Sequence, residues 1–216
     1  MTGDNNQLKP EYYQTAEALY AAIQNIESSR KPKLIIGVAG ESGSGKTITA
    51  LQLQQVYELN GKKTNIVHMD DFFHLPPATN HEARVKDISR VGKEEVNLEL
   101  LEKVCGQFKA NAVSVEQPLV DYPSNSISPF SWNANDFDVL IIEGTYVLFL
   151  ENIDIRVFID RTYHETKSDR LARGRDIAND FVEEVLGIEH TIIQSEKKLC
   201  DICIQSNFTL TNPLKA

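Results

Sequence analysis

A chain of 216 residues with 41% hydrophobic content can bury one substantial core as an α/β domain with a small appended lid, but it is short for two full domains. A formal net charge of −9 argues against a nucleic-acid backbone or an anionic membrane as the main partner, because both require a basic face. No stretch approaches the roughly 20 apolar residues of a membrane span, and Met1 to Lys9 is polar without an apolar signal core, so a cytoplasmic protein is expected.

Glu11 to Ser28 places Ala16, Leu19, Tyr20, Ile23 and Ile26 on one side, which predicts a helix packed on the domain that follows Pro32. Lys33 to Ala39 is an apolar run of strand length. The next residues, Gly40-Glu41-Ser42-Gly43-Ser44-Gly45-Lys46-Thr47, match the phosphate-binding pattern GxxxxGK(S/T) at every fixed position. Glycines let such a loop curl so that backbone N–H groups face phosphate oxygens, and the helix predicted from Thr47 to Leu59 adds the positive end of its dipole. Lys46 is placed to reach the β- and γ-phosphates and Thr47 to hold Mg²⁺, so ATP or GTP is the first ligand expected. Thr64 to Met69 predicts a second strand ending at Asp70-Asp71, and the strand, loop, helix, strand order implies a right-handed crossover in a parallel sheet.

Residues 72 to 96 read as an irregular insertion of mixed charge, and long insertions at strand ends are usually functional. A helix is predicted over Asn97 to Phe108 with Asn97 as its N-cap, then a weak strand or hairpin from Val113 to Val120 and a loop from Asp121 to Asn135. Asp138 to Ile142 predicts a buried strand that ends at Glu143-Gly144, and Ile155 to Asp160 predicts another. Ser168 to Asp176 is arginine-rich, Phe181 to Lys198 reads as a helix, and Asp201 to Gln205 as a last short strand. The expected organisation is a helix within 1–32 packing on a domain spanning 33–216, with a substrate insertion at about 72–96 and a lid at about 162–180. The three cysteines form no disulfide framework, and Cys200 and Cys203, on opposite sides of a strand, are expected as buried free thiols.

In an open α/β sheet the carboxyl ends of the strands line the ligand crevice, so Lys46, Thr47, Asp70 and Glu143 are expected to converge. Together they supply positioning and charge neutralisation, the main demands of phosphoryl transfer. Asp70 is the candidate base for a substrate hydroxyl, with Asp71 the alternative beside it, and Glu143, with Asp70, is a candidate magnesium-side carboxylate. Arg170, Arg173 and Arg175 lie on the expected lid, either stabilising the transferred phosphoryl group or forming a solvated helix face. Phe72, Phe73 and Tyr122 either stack on a base or pack the crevice. His68, His74 and His81 are spaced too irregularly for a metal cluster and read as scattered polar or substrate-contacting residues.

The ordered set Gly40 to Thr47, Asp70-Asp71-Phe72-Phe73, Ile141-Ile142-Glu143-Gly144 and Arg173-Gly174-Arg175-Asp176 resembles the uridine kinase and phosphoribulokinase group of P-loop kinases, from about Lys33 to Ile204. The resemblance implies a P-loop NTPase-type three-layer sandwich with a mainly parallel five-stranded sheet, ATP with Mg²⁺ as donor, and a small-molecule hydroxyl as acceptor. It places Asp70 on the catalytic aspartate, Glu143 on the magnesium-associated acid, Arg173 and Arg175 on the lid arginines, and Asp121-Tyr122 on the substrate-loop pair, with Asp71, Phe72 and Phe73 beside the substrate. Val120, Asn125 and Ile127 depart from the uridine kinase pattern around that loop, and Gly92-Lys93-Glu94-Glu95 replaces an Asp-His-Pro-Asp run, so the resemblance supports the phosphate machinery more strongly than it supports pyrimidine recognition. The expected acceptor is a nucleoside first, then nicotinamide riboside, pantothenate, glycerate or a sugar-like molecule. A nucleotide-binding regulator is the rival from another class, and a homo-oligomer is compatible with either.

Overall fold

The computed structural model describes residues 10–26, 31–172 and 179–212. Its elements run α1 (Pro10–Gln24), β1 (Leu34–Gly40), α2 (Lys46–Leu59), β2 (Thr64–His68), α3 (Pro77–Lys86), α4 (Leu98–Lys109), β3 (Val115–Asp121), β4 (Ser126–Trp132), β5 (Val139–Glu143), β6 (Ile155–Asp160), α5 (Lys167–Ala172), α6 (Asp180–Glu196), β7 (Ile202–Gln205) and β8 (Leu210–Thr211).

The main sheet is ordered β2-β5-β1-β6-β7-β8. Its first five strands are parallel, as expected; a sixth, the two-residue β8, joins antiparallel to β7 and carries too little sequence to register as a strand. Alternate residues of each strand enter two separate cores, the period-2 consequence of a pleated backbone. Ile35, Val67, Leu140, Ile142 and Phe158 face the core under α4, the β3–β4 hairpin and α6. Ile36, Val38, Ile141, Ile155 and Val157 face the core under α1 and α2, where Leu19 and Ile23 are fully buried. Each fully buried Leu or Ile contributes about 2 kcal/mol, so α1 is anchored on α2 by its apolar stripe, with Tyr20 and Tyr57 packed edge to face at 4.9 Å.

Three expectations are corrected. Residues 72–96 are not irregular: they hold α3, which starts at Pro77 and buries only Asn80, so no apolar stripe marks it in the sequence. The loop expected over 121–135 contains β4, paired antiparallel with β3 through a turn where Asn125 takes φ 47°. Most of β4 is exposed and Pro129 sits opposite Pro118, which an isolated two-stranded ribbon tolerates because its outer N–H groups need no partner. Cys200 precedes β7, so it is not on the opposite strand face from Cys203; both are buried free thiols, as expected. Among the described residues, no helix is long and apolar enough to cross a membrane.

Candidate active site

β1 is buried over all its residues and delivers the chain to the loop Gly40–Gly45 at the carboxyl edge of the sheet. Gly43 has φ +76°, and a methyl group there would lie 2.5 Å from Cγ of Arg170, so both backbone conformation and space demand glycine. Gly45 caps α2 with no side-chain acceptor, leaving the first N–H groups of the helix to an anion. Lys46 folds back over the loop and donates to the Glu41 carbonyl at 3.0 Å. Ser44 Oγ is a buried polar atom without a hydrogen-bond partner, as a loop shaped for phosphate oxygens would leave it.

The Glu41 side chain faces away from this cradle. It is 2% exposed and accepts from the Tyr163 N–H at 2.7 Å and Gln194 Nε2 at 2.6 Å, with His190 Nδ1 at 2.8 Å. Of the expected nucleotide-binding positions, Glu41 therefore offers only its backbone, while its carboxylate ties the loop to α6 and to the turn after β6.

β2 and β5 bring the carboxylates to the same edge. His68 and Glu143 are register partners at the strand ends, and His68 Nδ1 lies 2.7 Å from Glu143 Oε1, which also accepts from Thr47 Oγ1 at 3.1 Å. Burial opposes the Glu143 charge, but the His68 bond and the nearby Lys46 outweigh it and hold the carboxyl below the usual range. Burial likewise opposes a charged His68, and the bond to Glu143 overcomes it, holding the imidazole above its ordinary pKa.

Asp70 follows on a 3₁₀ turn, Met69–Phe72, and opens into a cavity of about 530 Å³ lined also by Ser42, Lys46, Phe73, Arg84, Tyr122 and Glu189. Desolvation by the surrounding protein, reinforced by the charge of Glu143, pushes its carboxyl above the usual range. Asp71 points elsewhere: it is buried and its Oδ1 accepts the Val120 N–H at 3.0 Å, pinning the hairpin.

The aromatic candidates separate in the same way. Phe72 is 1% exposed and packs in the core, whereas Phe73 and Tyr122 line the cavity. Asp121 is turned to the hairpin tip, where the Ser124 hydroxyl donates to it. Arg170 is buried against Gly43, with Nη2 donating to the Tyr163 carbonyl at 3.2 Å, so it builds the loop's back wall. Arg173 and Arg175 lie outside the described residues.

Two features escaped the sequence reading. One is the bond to Glu143 from His68, expected only as a scattered polar or substrate-contacting residue; its signal is that it lies two residues before Asp70 on a strand that ends at the site. The other is a buried ionic network: Arg84 on α3 donates through Nε and Nη2 to Glu95 at 2.7 and 2.8 Å, and through Nη2 to Glu189 at 3.0 Å. Its partner Glu189 lies 105 residues away along the chain, and nothing local marks the pairing. Facing this polar floor, α6 supplies an apolar wall of Phe181, Val182, Val185 and Leu186.

Comparison with known proteins converges on the same segment. The family model "Phosphoribulokinase / Uridine kinase family" matches residues 35–206. The sucrose kinase and α-galactosidase AgaSK of Mediterraneibacter gnavus is 26% identical over 198 residues, 85% of this chain and 21% of that protein, so the chain spans about a fifth of this relative's length. A uridine kinase of Limosilactobacillus reuteri is 25% identical over 83% of this chain and 86% of its own. A solved structure titled as a possible uridine kinase from Bacillus stearothermophilus superposes with a TM-score of 0.64 at 22% identity, covering 89% of this chain and 98% of that one, and so supports the fold.

Proposed function

Because the chain belongs to the phosphoribulokinase/uridine kinase family, whose members are ATP-dependent small-molecule kinases, we propose that it phosphorylates a hydroxyl of a small metabolite, most favourably a nucleoside. The observation that carries this reading is that Lys46 and Thr47 of the loop meet Asp70 and Glu143, both distant from them in sequence, with Lys46 and Asp70 lining one cavity.

The loop N–H groups, Ser44 and Lys46 are assigned to the phosphates, and Thr47 with Glu143 to Mg²⁺. When bound, magnesium–ATP supplies the electrophilic phosphorus and neutralises the charge of the transferring group. Asp70 is the base: it shares the cavity with Lys46, and its raised pKa makes it a better acceptor for the hydroxyl proton than an ordinary carboxylate. Asp71 is spent on the Val120 N–H and does not line the cavity. Glu143, kept ionised by His68, is the better cation ligand of the pair.

The acceptor side favours a molecule with hydroxyls on one face and an apolar ring on the other. Asp70, Asn80, Arg84 and Glu189 offer the polar side, and Phe73, Tyr122, Phe181 and Val185 the apolar one. The Arg84 charge is already matched by two carboxylates, which places carboxylate-bearing acceptors such as glycerate and pantothenate, and phosphorylated sugars, behind a neutral nucleoside. A regulator that only binds nucleotide needs the loop and the cation ligands, and leaves Asp70 without a task.

The test is ADP release measured against a panel of nucleosides, nicotinamide riboside, pantothenate, glycerate and pentose phosphates. Stimulation by a neutral nucleoside is expected. Steady hydrolysis that no acceptor accelerates would replace the transferase with the regulator.

A further inference from the structure

Gly45, the residue before Lys46, carries φ +103°, and a methyl group placed on it would lie 2.9 Å from both Cε1 and the hydroxyl oxygen of Tyr12. Tyr12 belongs to α1, so the N-terminal helix does more than pack on the sheet: it lays an aromatic ring against the nucleotide loop. Phe208, in the turn between β7 and β8, meets the Tyr12 ring edge to face with centroids 5.0 Å apart. Arg161, the first residue after β6, holds its guanidinium 5.9 Å from the Phe208 ring centroid and its Nη1 3.5 Å from the Tyr12 hydroxyl. The three side chains are each partly exposed. Tyr12 and Phe208 both lie outside the segment, 35–206, that the family model matches.

The sheet order fixes which end of a nucleotide this cluster would meet. Asp70 lies just past β2 and Glu143 ends β5, on one side of β1, while Arg161 and Phe208 follow β6 and β7, on the other. A terminal phosphate beside Lys46 and Asp70 leaves its nucleoside to exit across Gly45 toward the β6–β7 side, where two aromatic rings and a planar guanidinium stand together. Such groups hold a purine or pyrimidine by stacking and cation–π attraction, whichever base it is.

We infer that Tyr12, with Phe208 and Arg161, forms the nucleoside-binding wall of the donor site, so that the segments flanking the family domain complete it. The inference rests on the nucleotide-binding reading of the loop and is independent of which acceptor is used. Tyr12 is a binding residue for the base and ribose of the donor, with no part in the phosphate cradle.

Calorimetric titration of the full chain with ATP and, separately, with inorganic tripolyphosphate isolates the nucleoside contribution. Tyr12→Leu keeps an apolar group against Gly45 and removes the ring; ATP binding should weaken by about fivefold or more while tripolyphosphate binding stays the same. Tyr12→Phe, which keeps the ring, should bind ATP within about twofold of the natural chain. Equal weakening of both ligands in Tyr12→Leu would make Tyr12 a mere prop for the loop and overturn the inference, as would unchanged ATP affinity. A natural chain that binds neither ligand would overturn the nucleotide-site reading as well, whereas one that binds ATP but phosphorylates no acceptor removes only the proposed transfer.

Discussion

His68 Nδ1 and Glu143 Oε1 lie 2.7 Å apart at the paired ends of two neighbouring parallel strands, and the same carboxylate oxygen accepts the Thr47 hydroxyl. Two protein donors thus fix one carboxylate at the point where the nucleotide helix begins. A held ligand loses less entropy on cation binding than a free one. His68→Ala should raise the Mg²⁺ concentration for half-maximal transfer by about tenfold, with His68→Asn, which keeps a donor near Nδ1, recovering most of it. A magnesium titration showing identical midpoints in His68→Ala and the natural chain would remove His68 from this role.

Asp70 and Asp71 are adjacent, yet one lines the cavity and the other is fastened to the Val120 N–H. Asp70→Asn keeps the shape and removes the base, so turnover should fall by about 100-fold or more while the calorimetric affinity for ATP stays nearly unchanged. Asp71→Asn should leave turnover far less affected. Reversal of that order would transfer the base to Asp71.

Arg84 is the cation of a largely buried pair of carboxylates, with its side chain 15% exposed against 3% for Glu95 and 12% for Glu189. Removing the cation alone strands both charges, so Arg84→Ala should lower the unfolding free energy by about 3–5 kcal/mol. Arg84→Met combined with Glu95→Gln and Glu189→Gln should recover much of this, because no buried charge is left unmatched. Urea melts of both variants decide it; a triple variant as unstable as Arg84→Ala would show that the loss came from packing.

Much of the fold was legible because the parallel strands β1, β5 and β6 are buried on both faces and read as apolar runs with polar residues at their carboxyl ends. Lys46, Thr47, Asp70 and Glu143 follow from that pattern. α3 and β4 did not, because Asn80 is the single buried residue of one and the other is mostly exposed, so neither imposes a period on the sequence. The Arg84–Glu189 contact and the Tyr12–Gly45 contact join segments whose proximity only the tertiary fold creates.

Glu196, at the end of α6, is fully buried; its Oε2 accepts the Leu148 N–H at 2.9 Å while Oε1 has no partner. Burial dominates and pushes the carboxyl up to about 9 from an ordinary 4.5, the Leu148 bond offsetting only part of the effect. The folded chain therefore keeps a proton that the unfolded chain gives up once the pH exceeds about 4.5. Below that value both states are protonated and the group is neutral to stability. Between about 4.5 and about 9 the unfolded state binds fewer protons, so each unit of rising pH costs stability, up to roughly 1.4 kcal/mol per unit. Glu196→Gln removes the titration and keeps an oxygen for the Leu148 N–H. The difference in unfolding free energy between variant and natural chain should thus grow in the variant's favour by about 3 kcal/mol from pH 6 to pH 8.5, other titrating groups cancelling in the comparison. Chemical denaturation at several pH values reads that difference directly, and a flat difference across the range would mean that Glu196 ionises freely in the folded state.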